Sequence, residues 1–149
     1  PYDKQPMGGF GELCADKYNF TREEQDAFAA ESVRRALAAQ ADGSFKDEIA
    51  AVTVTTRKGE VVFDTDEQPG KCDISKIPSF KPAFKKDGTI TAASSSSIND
   101  GAAAIVLMDE SHAQAKGLKP LARIVAHSTH SQAPEWFTTA PVAAIEKVL

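Results

Sequence analysis

Cysteine, aromatic residues and long apolar runs are all scarce in this chain of 149 residues. The two cysteines, Cys14 and Cys72, sit in unrelated contexts. This argues against a disulfide scaffold or a cysteine zinc site and predicts a reducing, cytoplasmic setting. The longest apolar run, Ala102 to Met108, is far too short to span a bilayer, and no signal-peptide pattern opens the chain. We therefore expect no membrane partner.

The charge balance is mild, with a net charge of -4, and it gives no reason to expect nucleic acid as a partner. At 42% hydrophobic and 26% charged residues, the composition is that of a globular segment with a real core. Pro1 is not an initiator residue, and residues 141–149 resemble the opening of a helix that has been cut. We expect a piece of a longer protein.

Periodicity and capping signals predict the elements of the first part. Thr21 and Glu24 have the spacing of a capping box, which predicts a helix that runs to about Asp42 and stops at Gly43. Its apolar stripe comprises Ala29, Val33, Ala36 and Leu37, with Phe28 on a flank that suggests a second contact surface. Alternation over residues 52–63 predicts a hairpin of half-buried strands around a turn at 57–60.

The first part continues with a stretch that lacks a regular pattern, and a second unit follows the serine run. Residues 64–86 show no periodicity and predict a long ordered loop or a linker. We then expect a buried strand over 102–108, a short helix from Asp109 to Gly117 and a second strand over 121–125. A loop over 127–139 and a helix from Ala140 complete the chain. The first part suggests a small mixed α/β lobe, and the second the edge of a layered α/β sheet.

Three patterns could suggest a phosphate or metal site, and each has a plainer interpretation. The glycine-rich run Met7 to Glu12 lacks a Gly-Lys-Ser/Thr ending, so a flexible turn before a short helix is favoured. Residues 64–67 lack the further spacing of a calcium loop. His127 and His130 have no third ligand nearby. We therefore predict no metal site.

Neither cysteine has the surroundings of a catalytic thiolate, which needs a histidine partner or a positive local field. Cys14 lies between the acids Glu12 and Asp16, and Cys72 lies between Lys71 and Asp73. We predict no catalytic residue in this chain.

The four-serine run, 94–97, has two interpretations on composition alone. Polyserine is often a flexible linker. Alternatively, small side chains would let a long, flat ligand lie against the main chain, with hydroxyl groups adding hydrogen bonds. The residues themselves leave both open.

The order of motifs around this run resembles the loop of the thiolase family that faces coenzyme A. Pro-Ala-Phe (82–84), Gly-Thr-Ile-Thr-Ala (88–92), the serine run and Asn-Asp-Gly-Ala-Ala-Ala (99–104) follow in the family's order. Further thiolase-like pieces lie at 20–29, 45–49, 57–59, 66–67, 121–125 and 140–142. The resemblance is strongest to the acetyl-CoA acetyltransferase branch.

The resemblance implies an α/β fold: most of a CoA-binding loop domain over residues 1–97 and a piece of the layered thiolase core over 98–149. It implies acyl transfer between CoA thioesters, with acetyl-CoA and acetoacetyl-CoA as substrate or product, in fatty acid metabolism. The thioester is the substrate, and no separate cofactor is implied. The expected partners are CoA or acyl-CoA, the remainder of the thiolase polypeptide, and further copies in a homodimer or homotetramer.

The family's reaction uses two catalytic cysteines with Gly-His-Pro and Asn-Glu-Ala motifs. Neither motif occurs here, and neither Cys14 nor Cys72 has the surroundings of those catalytic cysteines. The chain alone is therefore expected to be inactive. The alternative is a non-catalytic acyl-CoA-binding or assembly module.

Five residues match family positions that contact the ligand. The resemblance implies that Ser96 contacts the pantetheine arm, that Ala92 and Phe84 line that arm, that Met7 lines the acyl site and that Lys71 lies near the phosphates.

Three positions depart from the family pattern. Pro6 replaces a histidine found in many biosynthetic members, Gly70 stands where an arginine is common, and Ser94 stands where many relatives have Asn.

Overall fold

A computed structural model describes residues 4–149, so Pro1 lies outside the described residues. The chain divides into two compact units, with the boundary between Ser96 and Ser97. The assignment of these units to a coenzyme-binding lobe and a piece of a core stays a prediction.

Helix α1 (Met7–Tyr18) opens the first unit and contains three of its glycines. The expected flexible turn is therefore wrong. A Cβ on Gly8 would collide with the ring of Phe84, and one on Gly11 would lie 2.5 Å from Ile90 Cδ1. At Gly8 and Gly11, therefore, other parts of the chain approach the helix too closely for a side chain.

Helix α2 (Arg22–Ala41) confirms the predicted helix and its start. Thr21 Oγ1 accepts from the Glu24 amide at 3.2 Å, and Glu24 Oε2 accepts from the Thr21 amide at 2.9 Å, which completes the capping box. Gly43, with a φ of 80°, follows its end. Ala29 is buried as predicted, whereas the rest of the predicted stripe is only half-buried.

Strands β1 (Val52–Thr56) and β2 (Gly59–Phe63) form the predicted antiparallel hairpin, with Val54 opposite Val61. Every residue of both strands is exposed, so the expectation of half-buried strands is wrong. The alternating pattern fixed the strand conformation, but no described element covers either face.

Residues 64–86 are not a plain loop or linker. They contain helix α3 (Glu67–Lys71) and a 3₁₀ helix at Ile74–Ser79. Each begins at an aspartate: Asp66 Oδ1 accepts from the Gln68 amide at 2.9 Å, and Asp73 Oδ1 from the Ser75 amide at 3.1 Å. These two caps were the signal that periodicity missed.

Hydrogen bonds from Arg22, which is also paired with Asp26 within α2, tie the 3₁₀ helix to α2. Arg22 Nε lies 2.8 Å from Asp26 Oδ2, and Arg22 Nη2 donates to the carbonyls of Ile77 and Phe80 at 3.2 and 2.8 Å. The buried apolar residues of the first unit are Phe10, Ala15, Ala29, Ile77 and Ile90. The core is thus built from α1, α2, the 3₁₀ helix and the segment around Ile90.

The second unit contains α4 (Glu110–Ala115), a 3₁₀ helix at Pro134–Thr139 and α5 (Ala140–Val148). The predicted short helix and final helix are confirmed, and the expected loop over 127–139 includes the 3₁₀ helix. In the part of the chain that the structure describes, no helix is long and apolar enough to cross a membrane.

The strands predicted over 102–108 and 121–125 are not formed, and all their residues are exposed. An extended segment becomes a strand only when a neighbouring strand satisfies its amides and carbonyls. Among residues 4–149 only β1 and β2 pair with each other.

Candidate functional site

A groove of about 610 Å³ in the first unit separates the first half of α2 from the serine run. Its lining residues are Phe20, Glu24, Gln25, Phe28, Ala29, Ser32, Val33, Ala93, Ser94, Ser95 and Ser96. The helical wall mixes aromatic, aliphatic and polar side chains, and the other wall carries small residues and hydroxyl groups. A long, narrow ligand with amides along its length would suit such a surface.

On the helical wall, two hydrogen bonds hold the side chain of Gln25 in place. Gln25 Nε2 donates to Thr89 Oγ1 at 2.9 Å and to the carbonyl of Phe20 at 3.2 Å. Phe28 is 79% exposed and also lines the groove.

The serine wall is folded around Thr91, which is fully buried. Ser94 Oγ accepts from the Thr91 amide at 3.0 Å, and Ser95 Oγ donates to the Thr91 carbonyl at 2.7 Å. Thr91 Oγ1 in turn accepts from the Ala93 amide at 3.2 Å. This compact turn favours the binding-loop interpretation over the linker.

A buried carboxylate anchors the segment before this turn. Glu12, on α1, is 3% exposed and accepts from the amides of Thr89 at 3.0 Å and Ile90 at 2.9 Å, and from Thr89 Oγ1 at 3.2 Å. A Cβ on Gly88 would lie 2.7 Å from Glu12 Cδ, so a larger residue there would force the chain or the carboxylate to shift.

A second contact between α1 and this segment is exposed. Lys85 Nζ lies 2.9 Å from Asp16 Oδ2, with both side chains more than half accessible. The hydrogen bond to Asp16 and then its charge raise the pKa of Lys85, with smaller contributions from the charges of Glu12 and Asp87. An accessible pair of this kind adds little to stability.

The structure brings together some of the predicted site residues and not others. Ser96 lines the groove, and Ala92 lies on the same turn and is exposed. Met7 begins α1, where the ring of Phe84 lies against Gly8, so Met7 and Phe84 share one end of that helix.

Lys71 lies elsewhere in the unit, at the end of α3. Its Nζ pairs with Glu67 Oε2 at 2.9 Å, and both side chains are exposed. The roles of all five residues stay predictions.

The departures from the family pattern also have defined places. Pro6 caps the N-terminus of α1, and Gly70 lies within α3. Ser94 bonds to Thr91 within the turn, so its hydroxyl supports the loop.

Sequence reasoning missed the helical wall of the groove. Gln25, Phe28 and Ser32 recur at helical spacing on one face of α2, which is the signal that could have identified them. Only the flanking position of Phe28 suggested a second contact surface.

No metal or disulfide site emerges within residues 4–149. Those residues contain no cluster of three potential ligands, and Cys14 and Cys72 are free thiols. His130 contacts Gln132 Oε1 at 3.3 Å and Lys147 Nζ at 3.4 Å.

The likeness to known proteins agrees with the motif order. The thiolase N-terminal domain matches residues 1–111. The chain is 51% identical over 149 residues to a probable acetyl-CoA acetyltransferase of Dictyostelium discoideum, a match that covers 99% of this chain and 36% of that protein.

Two solved structures extend the likeness to three dimensions. The Bacillus anthracis acetyl-CoA acetyltransferase superimposes with a TM-score of 0.91 at 43% identity, covering 100% of this chain and 38% of that one. The Acat5 thiolase of Ascaris suum, solved in complex with coenzyme A, has a TM-score of 0.85 at 42% identity over 96% of this chain and 36% of its own.

These superpositions define the chain as a piece of an α/β fold with helices and a small sheet. The chain belongs to the thiolase family. It spans little more than a third of the length of the relatives it matches, 36% in the Dictyostelium protein.

Proposed function

We propose that the polypeptide carrying this chain is an acetyl-CoA acetyltransferase. It transfers an acetyl group between CoA thioesters, converting two acetyl-CoA into acetoacetyl-CoA and CoA, or catalysing the reverse. Family membership and the names of the relatives support this activity. The thioester is itself the substrate, so no further cofactor is proposed.

The part of this chain is to hold the pantetheine arm of CoA. The observation that carries this proposal is that the four serine hydroxyls differ in their hydrogen-bond partners. Ser94 and Ser95 bond to Thr91, and Ser97 Oγ accepts from Asn99 Nδ2 at 2.8 Å. Within residues 4–149 the exposed Ser96 hydroxyl has no hydrogen-bond partner, so it is available to a ligand amide.

The other four residues are proposed to contact successive parts of the same ligand. Ala92 and Phe84 line the arm, Met7 lines the acyl site, and Lys71 lies near the phosphates. The exposure of Met7 and Phe84 at one end of α1 supports a shared role. Lys71 has the weakest support because its ammonium group is paired with Glu67.

The proposed setting is the cytoplasm, where free thiols such as Cys14 and Cys72 remain reduced. We assign the enzyme to fatty acid metabolism and expect a homodimer or homotetramer. Cross-linking of the polypeptide in solution checks the oligomeric state.

Substitution of Ser96 tests the pantetheine site in the polypeptide that carries this chain. Ser96→Ala removes one hydrogen bond, so we expect the KM for acetyl-CoA to rise about two- to tenfold, corresponding to about 0.5–1.5 kcal/mol. Ser96→Phe fills the groove and should raise KM further. Steady-state condensation of acetyl-CoA, followed by release of CoA, gives both values.

Ser97→Ala is the matched control, since it removes a neighbouring hydroxyl that already has a partner. An unchanged KM in Ser96→Phe would contradict the role of Ser96. Binding of CoA without any turnover by the wild-type polypeptide would reject the transferase and favour a non-catalytic acyl-CoA-binding module.

A further inference from the structure

Glu12 is the feature of the first unit that the proposed chemistry does not use. It is an acidic side chain, 3% exposed, and it forms no ion pair among the described residues. Its described hydrogen-bond donors all belong to Thr89 and Ile90. A buried carboxyl group is costly to desolvate unless hydrogen bonds compensate it, so these contacts are strong constraints on the segment that donates them.

Three of the four hydrogen bonds to Glu12 come from backbone amides, and the fourth comes from the Thr89 hydroxyl. Both Thr89 and Ile90 present their amides to the carboxylate, at 2.9–3.1 Å. Gly88 precedes them without a Cβ, which would otherwise collide with Glu12 Oε1. The position of the main chain at 88–90 is therefore set from α1.

Thr91, the next residue, connects this part of the main chain to the groove. Thr91 is fully buried, and its amide and carbonyl hold the hydroxyls of Ser94 and Ser95. Gln25 binds the same Thr89 hydroxyl that donates to Glu12, which links the helical wall to the anchor. A shift of 89–90 would move both walls of the groove relative to each other.

We propose that Glu12 is a positioning residue, which fixes the serine turn in the geometry that receives the thioester arm. This inference rests on the proposed function of the groove, and it adds a residue that does not itself line it. Glu12 touches no ligand in this scheme and acts through the amides of Thr89 and Ile90.

Glu12→Gln is the test, made in the polypeptide that carries this chain. The carboxamide retains one acceptor oxygen and turns an NH₂ group toward amide donors, so at least one bond is lost. We expect hydrogen exchange of the Thr89 and Ile90 amides to accelerate at least about tenfold. The KM for acetyl-CoA should rise about tenfold, with kcat within about threefold of wild type.

Asp16→Asn is the matched control. Asp16 lies four residues along the same helix and also bonds to the segment before the serine turn, through Lys85, but the contact is exposed. The same chemical change there should leave both the exchange rates and KM unchanged. A merely structural role for Glu12 would lower thermal stability without separating KM from kcat.

Gly88→Ala gives a second route should Glu12→Gln fail to fold, since its Cβ displaces the segment while Glu12 remains. It should reproduce the rise in KM and the faster exchange. The inference would be overturned if the Thr89 and Ile90 amides of Glu12→Gln exchanged as slowly as in wild type. It would also be overturned if these amides exchanged faster but the KM for acetyl-CoA did not change, or if neither variant folded. If the wild-type polypeptide showed no turnover, the proposed function would be rejected. The exchange measurement would still decide whether Glu12 holds the loop.

Discussion

At the scale of single residues, local hydrogen bonds of short polar side chains decide the shape of the serine turn. Thr91 is the clearest case, because its side chain is fully buried although it carries a hydroxyl. That hydroxyl accepts from the Ala93 amide, while the Thr91 backbone binds two serines. A buried hydroxyl is tolerated only where such bonds satisfy it.

Thr91→Val therefore tests the turn, since valine keeps the shape but cannot accept from Ala93. We expect the free energy of unfolding to fall by about 1 kcal/mol, the usual net value of one hydrogen bond. Urea denaturation measures it. Thr65→Val, which affects only an exposed bond to Asp64, should change stability by less than about 0.5 kcal/mol. Equal stability of Thr91→Val and wild type would show that this bond is unimportant.

The sequence could nominate Ser96 but could not show why it differs from its neighbours. All four serines are chemically identical along the chain, and motif order alone distinguished one of them. The difference is one of partners: three hydroxyls have protein partners, and that of Ser96 has none among residues 4–149. Those partners lie two to four residues away, in local hydrogen bonds that no periodicity predicts.

At the scale of elements, local sequence signals predicted helices and strands correctly where both the start and the end of the element carried a signal. The capping box and glycine stop predicted α2 to within a residue or two, because both act over a single turn of chain. The hairpin was predicted for the same reason, from alternation and a short polar turn. Short helices over 64–86 were missed because one or two turns are too few to show a period.

Thr21→Ala tests how far α2 depends on its cap. The substitution removes the acceptor of the Glu24 amide, and we expect a loss of about 1 kcal/mol in the free energy of unfolding. Thr21→Ser keeps the hydroxyl and should recover most of that loss. Thermal and urea denaturation followed by circular dichroism give the measurement. An alanine variant as stable as the serine variant would assign the helix start to packing instead.

At the scale of the whole molecule, the second unit exposes apolar segments that sequence reasoning placed in a sheet. Val106 is 85% exposed and Val125 is 84% exposed. Both lie in runs with the composition of buried strands, so their exposure reflects missing pairing partners among residues 4–149 and not a lack of strand propensity.

Hydrogen exchange can test whether these runs become strands in a larger context. In the 149-residue chain the amides of residues 102–108 should exchange freely. In the polypeptide that carries it we expect their exchange to slow by about a thousandfold, or roughly 4 kcal/mol of protection. The interior amides of α2 serve as the reference, protected in both. Unprotected amides in the longer protein would remove this segment from any sheet.

The sequence by itself determined the family, through the order of its motifs, and the elements whose signals span a few neighbouring residues. Capping atoms, alternation and turn residues act locally, so the chain carries them without reference to distant parts. Only the tertiary structure decided that Glu12 holds the amides of Thr89 and Ile90, 77 and 78 residues away, and that Ser96 is left without a partner. Such contacts depend on which surfaces meet across long separations, and no local pattern encodes that choice.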